Sequence, residues 1–174
     1  MEKLEKFESH QIDVLNNSVA MAEELVCNYY KMSANQWLRH RYDVKTLNDL
    51  ADSEIVHGPF AQIIRYVGQR KDGTLGSTAY DFYKICLQDH TILSTLNQTL
   101  GLSLFPFIIY IMTHELIHII RFSKYVVNFE ASPEEKVKEE TVVHEKTHEI
   151  LRAINESGIE DVLEFFKRWR LPID

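Results

Sequence analysis

The chain has 174 residues, 45% of them hydrophobic and 26% charged, a globular composition that excludes a disordered chain and fits one domain over residues 1–174. Its net charge of −7, from 19 basic and 26 acidic side chains, argues against nucleic acid or an anionic membrane as the main partner. Two cysteines, Cys27 and Cys86, stand far apart without C-x-x-C spacing, which supports neither a disulfide framework nor a cysteine zinc site.

The mixed-charge start Met1-Glu2-Lys3-Leu4-Glu5-Lys6 leads into no apolar stretch, so no secretion signal is expected and a cytoplasmic location follows. Residues 2 to about 31 read as one amphipathic helix, with Leu4, Phe7, Val14, Leu15, Ala22, Leu25, Val26 and Tyr29 at three- and four-residue spacing. Ser33, Asn35, Asn48 and Asp52 then mark caps and turns, and Gly58-Pro59 marks a boundary. Residues 59–89 carry two patterns. Asp72-Gly73 between strand-forming runs at 60–69 and 79–88 predicts a β-hairpin, whereas Tyr80, Tyr83, Leu87, His90 and Leu93, behind Ser77 as a cap, keep helical spacing. The hairpin is preferred.

Residues 104–124 are apolar nearly all round and predict a helix buried at the centre of the fold, with Pro106 tolerated in its first turn. The longest apolar run, 104–112, is shorter than the roughly 20 residues of a membrane helix. After a connection at 128–132, Ser132-Pro133-Glu134-Glu135 is a capping box with proline at the first helical position; it opens a helix to about Asn155, ahead of Gly158. A short last helix holds Val162, Leu163, Phe165, Phe166 and Trp169. The basic clusters Arg39-His40-Arg41 and Lys167-Arg168-Trp169-Arg170 read as solvated surface. The expected fold class is α+β, predominantly helical, with a small β-hairpin or sheet before the long apolar helix; an all-α bundle is the alternative.

His114-Glu115-Leu116-Ile117-His118 is an H-E-x-x-H pentad inside that apolar helix. Residues four apart share a helix face, so both imidazoles can reach one metal ion, with Glu115 beside it as a proton acceptor for a bound water. Two histidines and a glutamate are costly to bury in an apolar helix unless they serve a site. With zinc, such a set makes a hydrolytic centre.

The pentad, set in Ile108-Ile109-Tyr110-Ile111-Met112-Thr113 and followed by Ile119-Ile120, resembles the active-site helix of the zincin metallopeptidases. Residues 83–87 look like the edge strand that often precedes it. The resemblance implies a zincin-like core, Zn²⁺, peptide hydrolysis with Glu115 as the catalytic base, and a peptide or protein substrate. The metzincin branch is excluded, because Arg121 and Lys124 stand where it requires Gly and His. The gluzincin branch takes its third ligand from a glutamate on a following helix. On the helix after Ser132 the apolar face is Val143, Thr147, Ile150, Leu151 and Ile154; Glu140 lies near its middle, Glu139 well off it, His148 at its edge, and Glu145 points outward. In an antiparallel hairpin of the two helices, Glu140 and His144 stand level with His118 and His114. Glu140 is therefore the expected third metal ligand, and His144 a fourth ligand or a hydrogen-bonding support.

A second pentad, His144-Glu145-Lys146-Thr147-His148, opens an alternative of another class. Glu115-x-x-His118 and Glu145-x-x-His148 also read as the paired signature of a ferritin-like di-iron bundle, with Fe as the metal and Glu8, Glu23 or Glu24 completing the set. The two motifs occupy neighbouring helices, an order that a homodimer would have to repair. A third reading is a non-catalytic, metal-stabilised binding module whose site His144 closes. For His10, His40, His57 and His90 surface or hydrogen-bonded roles are expected, His90 being nearest the site. Tyr110, one turn before His114, is expected as a packed aromatic, with donation to a developing oxyanion as the alternative. The sequence shows no phosphate-binding glycine loop, nucleophilic cysteine context or serine triad.

Overall fold

The computed structural model describes residues 3–33, 42–69, 79–124 and 132–167. These residues form five α-helices and one three-stranded sheet, an α+β fold that is mostly helical; the sheet rules out the all-α alternative.

The sheet comes from the segment with two competing patterns. Strands β1 (Tyr42–Lys45), β2 (Ala61–Gln69) and β3 (Ala79–Leu87) lie in the order β1-β3-β2. Strand β2 runs antiparallel to β3, Ala61 opposite Leu87 and Gln69 opposite Ala79, as a hairpin requires; the Asp72-Gly73 turn lies outside the described residues. Strand β1 runs parallel to β3, Tyr42 opposite Tyr83. Four residues are too few to show a period, so β1 sits where the sequence predicts only caps and turns. The expectation of an edge strand at residues 83–87 is corrected: this segment belongs to the central strand, paired on both sides, and Ile85, Cys86 and Leu87 are fully buried. The edge strand of the hairpin is β2.

Helix α1 (Ser9–Tyr29) starts later than the sequence predicts. Gln11 Oε1 accepts from the Glu8 N–H at 2.8 Å, and the Phe7 N–H donates to Asp89 Oδ2 at 2.9 Å. The chain ahead of Ser9 is thereby tied to Asp89, leaving Leu4 and Phe7 outside the helix. Helix α2 (Asp89–Gln98) is a further difference. The apparent helical spacing from Tyr80 to Leu93 spans a strand and then a helix, and the buried Asp89 joins them by also accepting from the Leu47 N–H at 3.0 Å.

Helix α3 (Leu104–Lys124) matches its prediction and packs against α1. Its residues 107–112 are all buried, as are Ala22 and Val26 on α1. By length and composition the stretch Leu104–Phe122 could cross a bilayer, but 72% of its window is buried inside the fold, as in a core helix. Helix α4 (Pro133–Arg152) starts as the capping signal predicts, Ser132 Oγ accepting from the Glu135 N–H at 3.2 Å, and stops at Arg152 rather than Asn155. Gly158, at a φ of +85°, then turns the chain into helix α5 (Ile159–Phe166). Trp169, Arg168, Arg170 and the cluster at 39–41 lie outside the described residues. The result for function is a buried α3 with α4 and α5 packed on it.

Candidate metal centre

His114 and His118 stand one turn apart on α3, and Glu140 reaches them from α4. The His118 Nε2 lies 2.8 Å from Glu140 Oε2, the His114 Nε2 lies 3.1 Å from Glu140 Oε1, and the two Nε2 atoms are 3.1 Å apart. Glu140 thus stands at the level of the two histidines, where the helix-face and hairpin-level arguments expect it. It is about half exposed, so one side of the cluster faces solvent.

Hydrogen bonds alone satisfy this arrangement poorly. If each Nε2 carries a proton for the carboxylate, two N–H groups oppose each other at 3.1 Å; if one does not, its contact with Glu140 sets a lone pair against a carboxylate oxygen. The Nδ1 atoms of both histidines are buried with no hydrogen-bond partner among the described residues. One cation bound by both Nε2 atoms and Glu140 removes the conflict among the Nε2 atoms and the carboxylate, and leaves each Nδ1 as it is. Zn–N bonds of about 2.0–2.1 Å in a tetrahedron set ligand atoms about 3.3 Å apart, near the observed separations. These three residues form a group whose ligand atoms all lie within 4.8 Å of one another.

The electrostatics follow from the same contacts. Burial works against the charged form of His114, but the Glu140 carboxylate outweighs it and holds the imidazole above its ordinary value. Burial likewise opposes ionisation of Glu140, yet His114 and His118 keep its carboxyl far below the usual range. Glu115, half-buried beside His114, is pushed up by burial, with His114 and His118 pulling the other way and Glu140 adding to the rise.

His144 is beside the cluster but not in the ligand group. Its Nδ1 is 2.7 Å from the Tyr110 hydroxyl, and its ring centroid is 4.3 Å from that of His114. Burial and the neighbouring His114 lower it to about 3, so the imidazole is neutral. His144 thus has Tyr110 as its partner and lies outside the ligand group of His114, His118 and Glu140. Tyr110 is packed as expected, its ring stacked on Phe166 at 3.9 Å.

Beyond His144, the second pentad does not join the first. Glu145 is exposed, and His148 is buried against the edge of Tyr110 at 5.4 Å. Glu8 and Glu24 are exposed, and Glu23 accepts from the Tyr42 hydroxyl. His10 is exposed beside Glu8, His40 lies outside the described residues, and His90 bonds Val56 O at 3.1 Å and packs on His57. Cys27 and Cys86 are free thiols, and burial pushes Cys86 up to about 11, which makes it a poor nucleophile.

Two features escape the sequence reading. Glu139, expected well off the inward face, is mostly buried in a two-point ion pair with Arg121 of α3. Opposite charges level with each other across the hairpin are the signal that could have found it. The other is a cleft of about 380 Å³ onto which His114, Glu115, Glu140 and His144 open, with Phe60 and Phe166 in its walls. Those two residues come from distant parts of the chain, and no local pattern marks them. Comparison with protein-family models, curated proteins and solved structures gave no match.

Proposed function

We propose that the chain is a zinc-dependent hydrolase acting on peptide bonds, with His114, His118 and Glu140 as metal ligands and Glu115 as general base. The observation that carries this reading is the arrangement of the cluster: three ligand residues converge, His144 lies outside their group, and the cleft opens on them. Three protein ligands with an open position is the pattern of catalytic zinc, whereas structural zinc is closed by four. The same observation weighs against the closed binding module, and the exposure of Glu145 weighs against a di-iron set within one chain.

Bound zinc supplies a water of near-neutral pKa and polarises a carbonyl. With zinc held by His114, His118 and Glu140, Glu115 would serve as the general base toward the attacking water and as the acid that returns the proton to the amine nitrogen as the C–N bond breaks. A peptide is favoured because β2, an edge strand, begins at Ala61 in the cleft wall, where an extended chain can add to its outer side. A zincin-like core of the gluzincin type remains part of this proposal, supported by the pentad on a buried helix, a sheet before it and a glutamate ligand on the next helix.

The test is metal content followed by one substitution. Protein purified without chelators or a metal-binding tag is expected to hold about one zinc per chain. Glu115→Gln is expected to keep that zinc and to lose hydrolysis of a peptide library. Full hydrolysis by Glu115→Gln, or two irons per chain, overturns the proposal.

A further inference from the structure

Beyond the cluster residues, the cleft is lined by Pro59, Phe60, Ala61, Tyr110, Ile111 and Phe166, with Gly58 at its margin. Its volume of about 380 Å³ lies in the range of ligand pockets, roughly 300–1,000 Å³. The aromatic part is fixed before any ligand arrives. Phe166 stacks flat on Tyr110 at 3.9 Å and on Phe107 at 5.4 Å, and meets the edge of Phe60 at 5.8 Å. A wall locked by its own packing loses little side-chain freedom when a ligand binds.

The charge of the lining is equally one-sided. Among the described residues no lysine or arginine lines it; the carboxylates and imidazoles there are Glu115, Glu140, His114 and His144, all in or beside the metal cluster. A ligand carboxylate in the cleft would face two glutamates without a cation apart from the metal. A ligand ammonium would be desolvated against Phe60 and Phe166, and Glu140, one of the two carboxylates, is committed to the metal.

We infer that the cleft is a specificity pocket for an apolar side chain, aromatic or branched aliphatic, flanking a peptide bond within a chain rather than at a free carboxyl terminus. The inference rests on the metal site proposed above and deepens it: Phe60, Ile111 and Phe166 select the substrate that the cluster hydrolyses.

Three hydroxamates separate the two levels of the argument, because each carries the same metal-binding group. Acetohydroxamate reports the metal anchor alone, N-acetyl-phenylalanine hydroxamate adds a benzyl group, and N-acetyl-aspartate hydroxamate adds a carboxylate. Binding to the zinc-loaded full chain is measured by calorimetry. Burial of the benzyl group is expected to tighten binding about tenfold to a hundredfold over acetohydroxamate, and the aspartate compound is expected to gain nothing. Ala61→Phe, which fills the same space, is expected to bring the benzyl compound back to the affinity of the anchor with one zinc still bound. Equal affinities of the benzyl and aspartate compounds overturn the specificity inference and leave the metal site standing. Zinc bound in the wild type with no hydroxamate binding, or no zinc bound, overturns both.

Discussion

Arg121 on α3 grips Glu139 on α4 at two points, Nε on one carboxylate oxygen and Nη2 on the other at 3.1 Å, one residue before Glu140 meets the two imidazoles. Both partners are largely buried, at 19% and 16% side-chain exposure, so water screens the pair little. The pair ties α4 to α3 at this height, next to Glu140. Arg121→Ala is therefore expected to weaken zinc binding about tenfold to a hundredfold, the usual cost of losing support behind a ligand, with helical content unchanged. Competition with a chromophoric chelator measures it. Affinity equal to wild type would show that α4 holds its register without the clamp.

His144 gives the second prediction. Its Nδ1 is taken by Tyr110, and it stands outside the ligand group. Removing it should weaken metal binding no more than removing a support does, about a hundredfold at most, while Glu140→Ala or His114→Ala should abolish binding at micromolar zinc. Complete loss of zinc from His144→Ala would place it in the coordination shell and return the closed-site reading.

The clustering of His114, His118 and Glu140 was more legible in the sequence than the fold, for a physical reason. His114, His118 and Glu140 lie on two long helices joined in antiparallel fashion, where position follows from a 3.6-residue period and a level count. Such rules fail where pairing is distant. Strand β1 exists because four residues meet β3 across some forty positions, and the central place of β3 is set by the same contact. Helix α2 was hidden because a strand and a helix abut at Asp89, whose carboxylate ties Phe7 and Leu47 to the junction. The clamp at Glu139 was misjudged because a long arginine reaches a carboxylate that the wheel turns away from the apolar stripe.

The pH dependence of the metal-free protein should have a maximum. His114, raised in the folded chain, contributes stability present below its ordinary value of 6.5 and lost as pH rises through the raised value. His144, lowered to about 3, contributes in the opposite sense: the unfolded chain takes up its proton first, so stability is lost as pH falls from 6.5 toward 3. Urea midpoints of the chelated protein should therefore peak near pH 6.5. Zinc requires His114 neutral, so the stabilisation that zinc adds should grow as pH rises from 6 to 8. A chelated protein whose midpoint climbs steadily from pH 6 to 8 would contradict the assigned role of the His114–Glu140 contact.

The last prediction concerns the wall of the cleft. Glu54, buried just ahead of Gly58, accepts from Lys84 Nζ at 2.7 Å, the Tyr66 hydroxyl at 2.9 Å and the Ala51 N–H at 2.8 Å. Its own carbonyl accepts from the side chains of Gln62 and Gln88, and Gln88 Oε1 accepts from the Val56 N–H at 2.9 Å. The segment leading to Gly58 is thus bound to both strands of the hairpin, and Lys84 holds the Glu54 carboxyl at about 2. Lys84→Met should cost about 2 kcal/mol, below the roughly 3–5 kcal/mol of a fully buried pair because Lys84 keeps 22% exposure. Adding Glu54→Gln should restore part of the loss, since no buried charge is then left alone. A carboxyl lowered on folding contributes stability above its ordinary value that disappears as pH falls through the lowered one, so the deficit of Lys84→Met should narrow from pH 4.5 toward 2. Urea titrations across that range measure it. A deficit independent of pH would mean that Lys84 acts through its packing on Tyr66 rather than through the charge of Glu54.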